Sequence, residues 1–153
     1  MAKDEASAAT IALDTANPLN DKIPTSLRLT VTRATKNHSA GVANSGYRGT
    51  PVHPKTQYHA SQLARKETSF AGPLTVSVVN DDDHTVYDSG KITGLTAEWK
   101  KFEVTLKTGN VTSTAQARFA ITLNQPGTVR LGLVSLFPPT WNDCHNSLRK
   151  DIM

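Results

Sequence analysis

The histidine and cysteine residues are the first candidates for catalysis or metal binding in this chain of 153 residues. Cys144 is the single cysteine, and His145 follows it directly. Adjacent residues of an extended chain point in opposite directions, so these two do not form a Cys–His catalytic pair. The histidines lack the short, regular spacing of zinc ligands, and they are His38, His53, His59, His84 and His145. The sequence therefore indicates neither a Cys–His nucleophile nor a zinc site.

The densest group of carboxylates is the run of Asp81, Asp82 and Asp83. Carboxylate oxygens are the preferred ligands of Ca²⁺, and the run is a candidate for a structural calcium ion. A polar run between two apolar stretches is also typical of a solvent-exposed hairpin turn, and the sequence favours this alternative. No other cofactor is expected.

Alternating apolar residues dominate the elements that would position any site. Leu74, Val76 and Val78 share one face of a predicted strand, and Phe102, Val104 and Leu106 share one face of another. Short segments of this kind, separated by turn residues, predict two antiparallel sheets packed face to face, an all-β sandwich or jelly roll. The predicted strands are 10–14, 26–32, 41–45, 57–65, 73–79, 85–88, 100–107, 117–123 and 128–137.

The length and composition predict one principal domain. We expect residues 1–9 to be a disordered tail, residues 10–140 to be the β-sandwich, and residues 141–153 to be a linker and the first helical turn of a missing domain. The net charge is +4, but the basic residues are scattered, so nucleic acid is not an expected partner. No apolar run is long enough to cross a membrane, and the N-terminus lacks the apolar centre of a signal peptide.

Several strings appear in an order and spacing that resemble a known family. The chain resembles the β-sandwich domain that precedes the catalytic barrel in family-51 glycoside hydrolases, the α-L-arabinofuranosidases. That domain is itself similar to carbohydrate-binding modules. The strings are AGVANSGYRG at 40–49, FAGPLTVSVV at 70–79, EWKKFEVTL at 98–106, VSLFPPT at 134–140 and SLRKDI at 147–152.

The resemblance implies a parent enzyme, secreted or periplasmic, that removes arabinofuranosyl groups from plant polysaccharides. Enzymes of this family use two glutamates in a retaining mechanism. The resemblance places both on the barrel, beyond Met153. None of the glutamates here occupies a matching motif, so the chain is not expected to hydrolyse glycosides; they are Glu5, Glu67, Glu98 and Glu103.

Three segments depart from the family pattern. Relatives usually read GYWG where this chain has GYRG at 46–49, and ASFYAK where it has ASQLAR at 60–65. They commonly read VWFDMVSL where it has VRLGLVSL at 129–136, so an aspartate is replaced by Gly132. Sugar-binding modules depend on aromatic faces that stack on sugar rings. The loss of these aromatics predicts weak or vestigial glycan binding.

The resemblance, together with the inward and outward alternation along the strands, predicts a small set of glycan-binding residues. Tyr47 is the stacking candidate, although a packing role is an equal alternative, and Arg48 and Arg130 could bridge sugar hydroxyls. Gln62 falls in the core phase, where it needs backbone partners or a bulge that shifts the strand. Trp99 is expected to close one end of the sandwich. The tentative carbohydrate-binding residues are Tyr47, Arg48, His59, Leu63 and Arg65.

Two functions fit these observations. The first is a non-catalytic accessory domain that contacts an arabinose-containing polysaccharide such as arabinan or arabinoxylan. The second is a purely structural domain that braces the catalytic barrel of the same chain and has no ligand of its own. If the barrel-facing surface is exposed, an apolar patch is expected that promotes self-association, formed by Leu136, Phe137, Trp141 and Leu148.

Overall fold

The computed structural model describes residues 2–3, 7–46, 49–67 and 70–140 of the chain. Tyr47, Arg48 and the predicted helical start at 141–153 lie outside the described residues. Within them the chain forms β-strands and no helix. The strands are β1 Ala2–Lys3, β2 Ala8–Asp14, β3 Ser26–Arg33, β4 Ala40–Asn44, β5 Gln57–Lys66, β6 Leu74–Asn80, β7 Val86–Ile92, β8 Lys100–Lys107, β9 Ala117–Leu123 and β10 Gly127–Phe137.

Two five-stranded antiparallel sheets stack to form the sandwich. The first sheet has the strand order β1-β4-β9-β6-β7, and the second has the order β2-β3-β10-β5-β8. The all-β sandwich predicted from the sequence is therefore confirmed. Each of the nine predicted strands is present, and the largest difference is β7, which continues to Ile92 rather than ending at Asp88.

The core lies between the two sheets and is made by the alternating apolar residues. Leu74, Val76 and Val78 of β6 are buried, as are alternate residues of β9. Phe102 and Val104 of β8 are partly buried and pack against this core. The period-two pattern thus gave the correct inward face for these strands, because one face of each strand is covered by the opposite sheet.

The N-terminal residues differ from expectation. Ala2 pairs with Gly41, and Lys3 pairs with Ala40, so β1 adds an edge strand to the first sheet. Ser7 and Ala9 are buried, and Ala9 belongs to the core. The prediction of a disordered tail over residues 1–9 is wrong for residues 2–3 and 7–9. Backbone pairing and small buried side chains order this segment, and neither produces an apolar alternation that sequence inspection could detect.

Strand β10 extends beyond its neighbour β3. β3 pairs with β10 only as far as Leu131, whereas β5 follows β10 to Phe137. A bulge interrupts the β5 pairing between Gly132 and Ser135, and Leu133 has a φ of 48°, which is uncommon for a residue other than glycine. The bulge therefore lies where β10 is no longer paired with β3. There β10 can bend by interrupting its hydrogen bonds to β5 alone.

Gln62 of β5 faces the core directly opposite this bulge. Its neighbours Leu63 and Ser61 pair with Gly132 and Ser135. The side chain is 2% exposed, and neither its amide nitrogen nor its amide oxygen has a hydrogen-bond partner among the described residues. The core phase predicted for Gln62 is confirmed. The expectation that Gln62 finds a backbone partner is wrong, because its amide has none among the described residues. The alternative, a bulge that shifts β5, is also wrong, because the bulge is in β10 and leaves the phase of β5 unchanged.

Candidate binding surface on the outer face of the second sheet

The outer face of the second sheet carries the predicted sugar-binding residues that the structure describes. Alternate residues of β5 between Gln57 and Lys66 point away from the core, and His59 is exposed while Leu63 and Arg65 are partly buried. The residues between them, including Tyr58, are buried. Since strand residues two apart are about 6.8 Å apart, the strip from Arg65 to His59 is about 20 Å long. The other two candidates, Tyr47 and Arg48, lie outside the described residues.

Trp99 lies across this face rather than closing one end of the sandwich. Its side chain begins beside β8 and passes over β5 to reach Gly132 of β10, where an added Cβ would lie 3.8 Å from the ring. The indole Nε1 donates a hydrogen bond to the carbonyl oxygen of Pro18 at 3.2 Å. The ring therefore packs over the backbone of Gly132 at van der Waals distance. One end of the strip therefore has a half-buried aromatic ring that sequence reasoning placed elsewhere.

The opposite end of the strip is built around His59. The register pairs His59 with Phe137 on one side and with Thr105 on the other. Phe137 is 55% exposed, and the Nδ1 of His59 lies 3.5 Å from the Oγ1 of Thr105. Between the two ends, the hydroxyls of Ser61 and Ser135 are 2.9 Å apart. Aromatic rings at both ends and hydroxyls between them give the strip groups that can contact a sugar chain.

Three arginines form a row across the same face. Arg130 of β10 pairs with Arg28 of β3 on one side and with Arg65 of β5 on the other. Arg130 is only 7% exposed; its Nε lies 2.7 Å from the Oδ2 of Asp14, and its Nη1 lies 2.9 Å from the Oε1 of Glu67. The expectation that Arg130 bridges sugar hydroxyls is therefore wrong. Its donors bind the nearly buried carboxylate of Asp14 and the partly exposed carboxylate of Glu67.

Arg65 differs from its neighbours in the row. Its Nη1 donates to the side-chain oxygen of Asn17 at 3.3 Å, and its buried Nε has no hydrogen-bond partner among the described residues. The register that pairs Ala64 with Lys100 places Arg65 beside Trp99. The loop that carries Asn17 and Pro18 thus forms a wall at this end of the strip.

The charge on Asp14 gives the first testable prediction. The backbone N–H of Ala16 and the guanidinium of Arg130 donate to its carboxylate, each at 2.7 Å, and hold the pKa of Asp14 below its ordinary value. A carboxyl group with a lowered pKa in the folded state stabilises the fold, and this contribution is complete at pH values above its unfolded-state pKa of about 3.9. That contribution declines as the pH falls through this value and is lost below the folded-state pKa.

The variant Asp14→Asn keeps an acceptor for Ala16 and removes the charge that Arg130 binds. We expect the urea midpoint of the variant to lie below that of the wild type near neutral pH, and the gap to narrow steadily as the pH falls below about 4. The matched control is Asp82→Asn, which changes an exposed turn aspartate. A gap that is constant across the pH range would contradict this prediction.

The aspartate run forms the expected turn between β6 and β7. Asp81 faces Arg118, whose Nε lies 3.5 Å from its Oδ1, while the Oδ1 of Asp83 accepts a hydrogen bond from the backbone N–H of Thr85 at 2.9 Å. The carboxylates of Asp81 and Asp83 thus serve different partners. Among residues 7–46, 49–67 and 70–140, no three His, Cys, Asp or Glu side chains are grouped closely enough to hold a metal ion. The calcium hypothesis gains no support.

Two other concave regions are present. The larger, about 780 Å³, opens between the sheets beside the free part of β10 and has mainly apolar walls that include Phe119, Leu131 and Val134. The smaller, about 280 Å³, lies on the outer face of the first sheet. The residues that line it there are Ser39, Thr75, Ser77, Val79, Val86, Ser89, Arg118, Ala120 and Thr122, without an aromatic ring. No helix in the described part of the chain has the length and hydropathy of a membrane span.

Sequence reasoning missed two residues of the strip. The sequence predicts that Trp99 lies at the end of the sandwich, because it does not show that β10 lies beside β5 with a glycine under the ring. The sequence predicts that Phe137 belongs to an apolar patch, although its alternation with Leu136, which is partly buried, places it on the outer face. Leu136 packs against the core while Phe137 lies on the outer face, so these two do not share one surface, and Trp141 and Leu148 lie outside the described residues.

Comparison with known proteins identifies related sequences. The probable α-L-arabinofuranosidase A of Emericella nidulans is 32% identical over 142 residues, which cover 88% of this chain and 24% of that protein. The probable α-L-arabinofuranosidase A of Aspergillus flavus is 29% identical over 150 residues, which cover 94% of this chain and 23% of that protein. The chain thus spans about a quarter of the length of the curated relatives it matches. No protein-family model matches the chain.

Solved structures agree with the sequence comparison. An arabinose-bound α-L-arabinofuranosidase, MgGH51, matches with a TM-score of 0.78 and 27% identity over 97% of this chain and 25% of that one. The CBM22-1 xylan-binding domain of Paenibacillus barcinonensis Xyn10C matches with a TM-score of 0.58 at 11% identity, which shows the fold alone. The resemblance drawn from the sequence is therefore confirmed: the chain is related to a β-sandwich portion, about a quarter of the length, of the family-51 α-L-arabinofuranosidases, and this fits a non-catalytic domain.

Proposed function

We propose that this chain is the non-catalytic accessory domain of an α-L-arabinofuranosidase and that it makes weak contacts with arabinose-containing plant polysaccharides. The single observation that carries this proposal is the strip on the outer face of the second sheet. There the ring of Phe137 lies beside exposed His59, and the ring of Trp99 lies at the other end. An open row of side chains suits a polymer that is bound along its length rather than at a chain end.

The chemistry of the strip explains why the contacts are expected to be weak. Much of the energy of a shallow sugar site comes from aromatic faces. Tyr58 is buried, and its hydroxyl donates to the carbonyl oxygen of Pro51. Tyr87 packs against the core and belongs to β7 of the first sheet. Neither ring is therefore available for stacking at the strip. With one exposed ring and one half-buried ring, we expect a dissociation constant near or above the millimolar range, about −4 kcal/mol.

The proposed binding is tested by calorimetry and affinity electrophoresis with arabino-oligosaccharides, arabinan and arabinoxylan. Saturable binding that is weakened several-fold in His59→Ala and in Phe137→Ala would support the proposal. The matched control is Val86→Ala, which removes an equally exposed apolar side chain from the first sheet. Binding that is the same in all three variants, or no binding to any of these glycans, would contradict it.

A structural role is the second candidate, and the free part of β10 favours it. Leu133 and Val134 are exposed at a strand edge that has one neighbour, next to the largely apolar cavity between the sheets. Exposed apolar side chains beside an unpaired edge are typical of surfaces that pack against other protein. In this alternative the domain braces the catalytic barrel of its own chain.

The structural role has its own test. Joining this domain to a catalytic barrel in one polypeptide should raise the unfolding temperature of the domain, and Leu133→Ser with Val134→Ser should remove that increase. Glycan binding at the strip would be unaffected by these changes. A fused domain that unfolds at the same temperature as the separate one would contradict the bracing role.

A further inference from the structure

The outer face of the second sheet carries more cationic than anionic side chains, whereas a neutral polysaccharide has no charge to balance them. Five cationic and two anionic side chains occupy the outward positions of its strands, and a third anionic residue, Glu67, directly follows β5. Most of them neutralise one another: Arg130 contacts Asp14 and Glu67, and Lys101 contacts Glu103. The cations are Arg28, Arg65, Lys101, Lys107 and Arg130, and the anions are Asp14, Glu67 and Glu103.

Of the three arginines in the row, Arg65 is the one that forms no ion pair with a carboxylate of the described residues. Arg28 and Arg130 both reach Glu67, at 3.7 and 2.9 Å, whereas no carboxylate among the described residues forms an ion pair with Arg65. Its observed partner is the neutral side-chain oxygen of Asn17 at 3.3 Å. A guanidinium has five N–H donors, and one long bond to an amide leaves most of them without a protein acceptor.

The surroundings of Arg65 add an apolar platform to this charge. The ring of Trp99 starts beside Arg65 and lies over the sheet as far as Gly132, and the partly buried Leu63 belongs to the same stretch of β5. The bond from Trp99 to Pro18 fixes the ring in this position. A flat ring next to a guanidinium with free donors matches a ligand that has an apolar face and a carboxylate on the same small unit.

We propose that Arg65 and Trp99 form a subsite for a uronic acid unit, so that the strip binds carboxylate-bearing plant glycans in preference to neutral ones. This inference rests on the proposed function and adds the ligand's charge to it. The sugar ring stacks on Trp99, and the carboxylate accepts charge-assisted hydrogen bonds from the Nη groups of Arg65 in place of Asn17. A planar guanidinium suits a carboxylate better than an ammonium group does.

The experiment compares the 153-residue protein with oligogalacturonate, neutral arabino-oligosaccharides and poly-glutamate by calorimetry at two salt concentrations. We expect oligogalacturonate to bind at least about tenfold more tightly than the neutral glycan, and Arg65→Gln to remove that difference. Arg65→Lys should retain part of it. The matched control, Arg33→Gln, removes an exposed arginine from the end of β3 and should change binding less than about twofold.

Each outcome decides between the alternatives. Equal binding of acidic and neutral glycans, weakened by His59→Ala, would overturn the uronate subsite and leave the proposed function intact. Poly-glutamate binding as tight as that of oligogalacturonate would also overturn it, because it would show attraction to any polyanion or acidic protein surface. If both Arg65 variants unfold at the wild-type midpoint and still prefer the acidic glycan, Arg65 does not bind the carboxylate and the proposed subsite is wrong.

Discussion

Replacing Arg130 by methionine is expected to lower the free energy of unfolding by several times the effect of losing an exposed ion pair. The guanidinium of Arg130 lies between Asp14 and Glu67 at 2.7 and 2.9 Å, and its side chain is almost fully buried. Methionine preserves much of the volume but leaves the nearly buried carboxylate of Asp14 without a cation. Removing one partner of a buried ion pair leaves the other charge unpaired. This is far more destabilising than replacing both partners with apolar residues.

The row of arginines supplies a matched control. Arg28 contacts the same carboxylate, Glu67, but its side chain is 44% exposed, and the distance from its Nη2 to the Oε1 of Glu67 is 3.7 Å. Exposed pairs of this kind contribute about 0–1 kcal/mol, so Arg28→Met should have a small effect. Urea unfolding followed by tryptophan fluorescence gives both values.

A double-mutant cycle separates the ion pair from the loss of packing. In the Arg130→Met background, Asp14→Asn should be much less destabilising than in the wild type, or even stabilising, because the unpaired charge is removed. If Arg130→Met and Arg28→Met had equal effects, Arg130 would not be the centre of the cluster. Additive effects of Arg130→Met and Asp14→Asn would argue against direct coupling between them.

The fold could be predicted because it depends on a local signal. Residues such as Leu74, Val76 and Val78 alternate with polar ones, and burial of one strand face against the opposite sheet produces that pattern directly. β1 could not be predicted, because Ala2 and Lys3 are held by backbone pairing with Gly41 and Ala40. Backbone pairing depends on no particular side chain and therefore leaves little trace in the sequence.

The candidate surface was harder to predict because it depends on which strands are neighbours. His59, Leu63 and Arg65 share one face of β5, and that much follows from the alternation along a single strand. The burial of Arg130 and the position of Trp99 follow instead from β10 lying between β3 and β5. Strand order is a property of the whole chain, so the partners of Arg130 could not be read from the residues around it.

Replacing Gln62 by leucine is expected to stabilise the domain by about 1–3 kcal/mol. The side chain of Gln62 faces the core, and neither end of its amide has a partner among the described residues. In water both the oxygen and the nitrogen are hydrogen-bonded, so folding removes these bonds without replacing them. Leucine fills a similar volume and has no such penalty.

The position opposite the bulge makes this result informative. Leu133 and Val134 lie between the β10 residues that pair with Leu63 and Ser61, so regular pairing is interrupted beside Gln62, and its amide has no bonded partner among the described residues. Gln57→Leu is the control on the same strand, because its side chain is exposed on the outer face and should change stability by less than about 0.5 kcal/mol. If Gln62→Leu instead lowered the free energy of unfolding by a kcal/mol or more, the amide would have to be satisfied, most simply by an internal water held against the bulge.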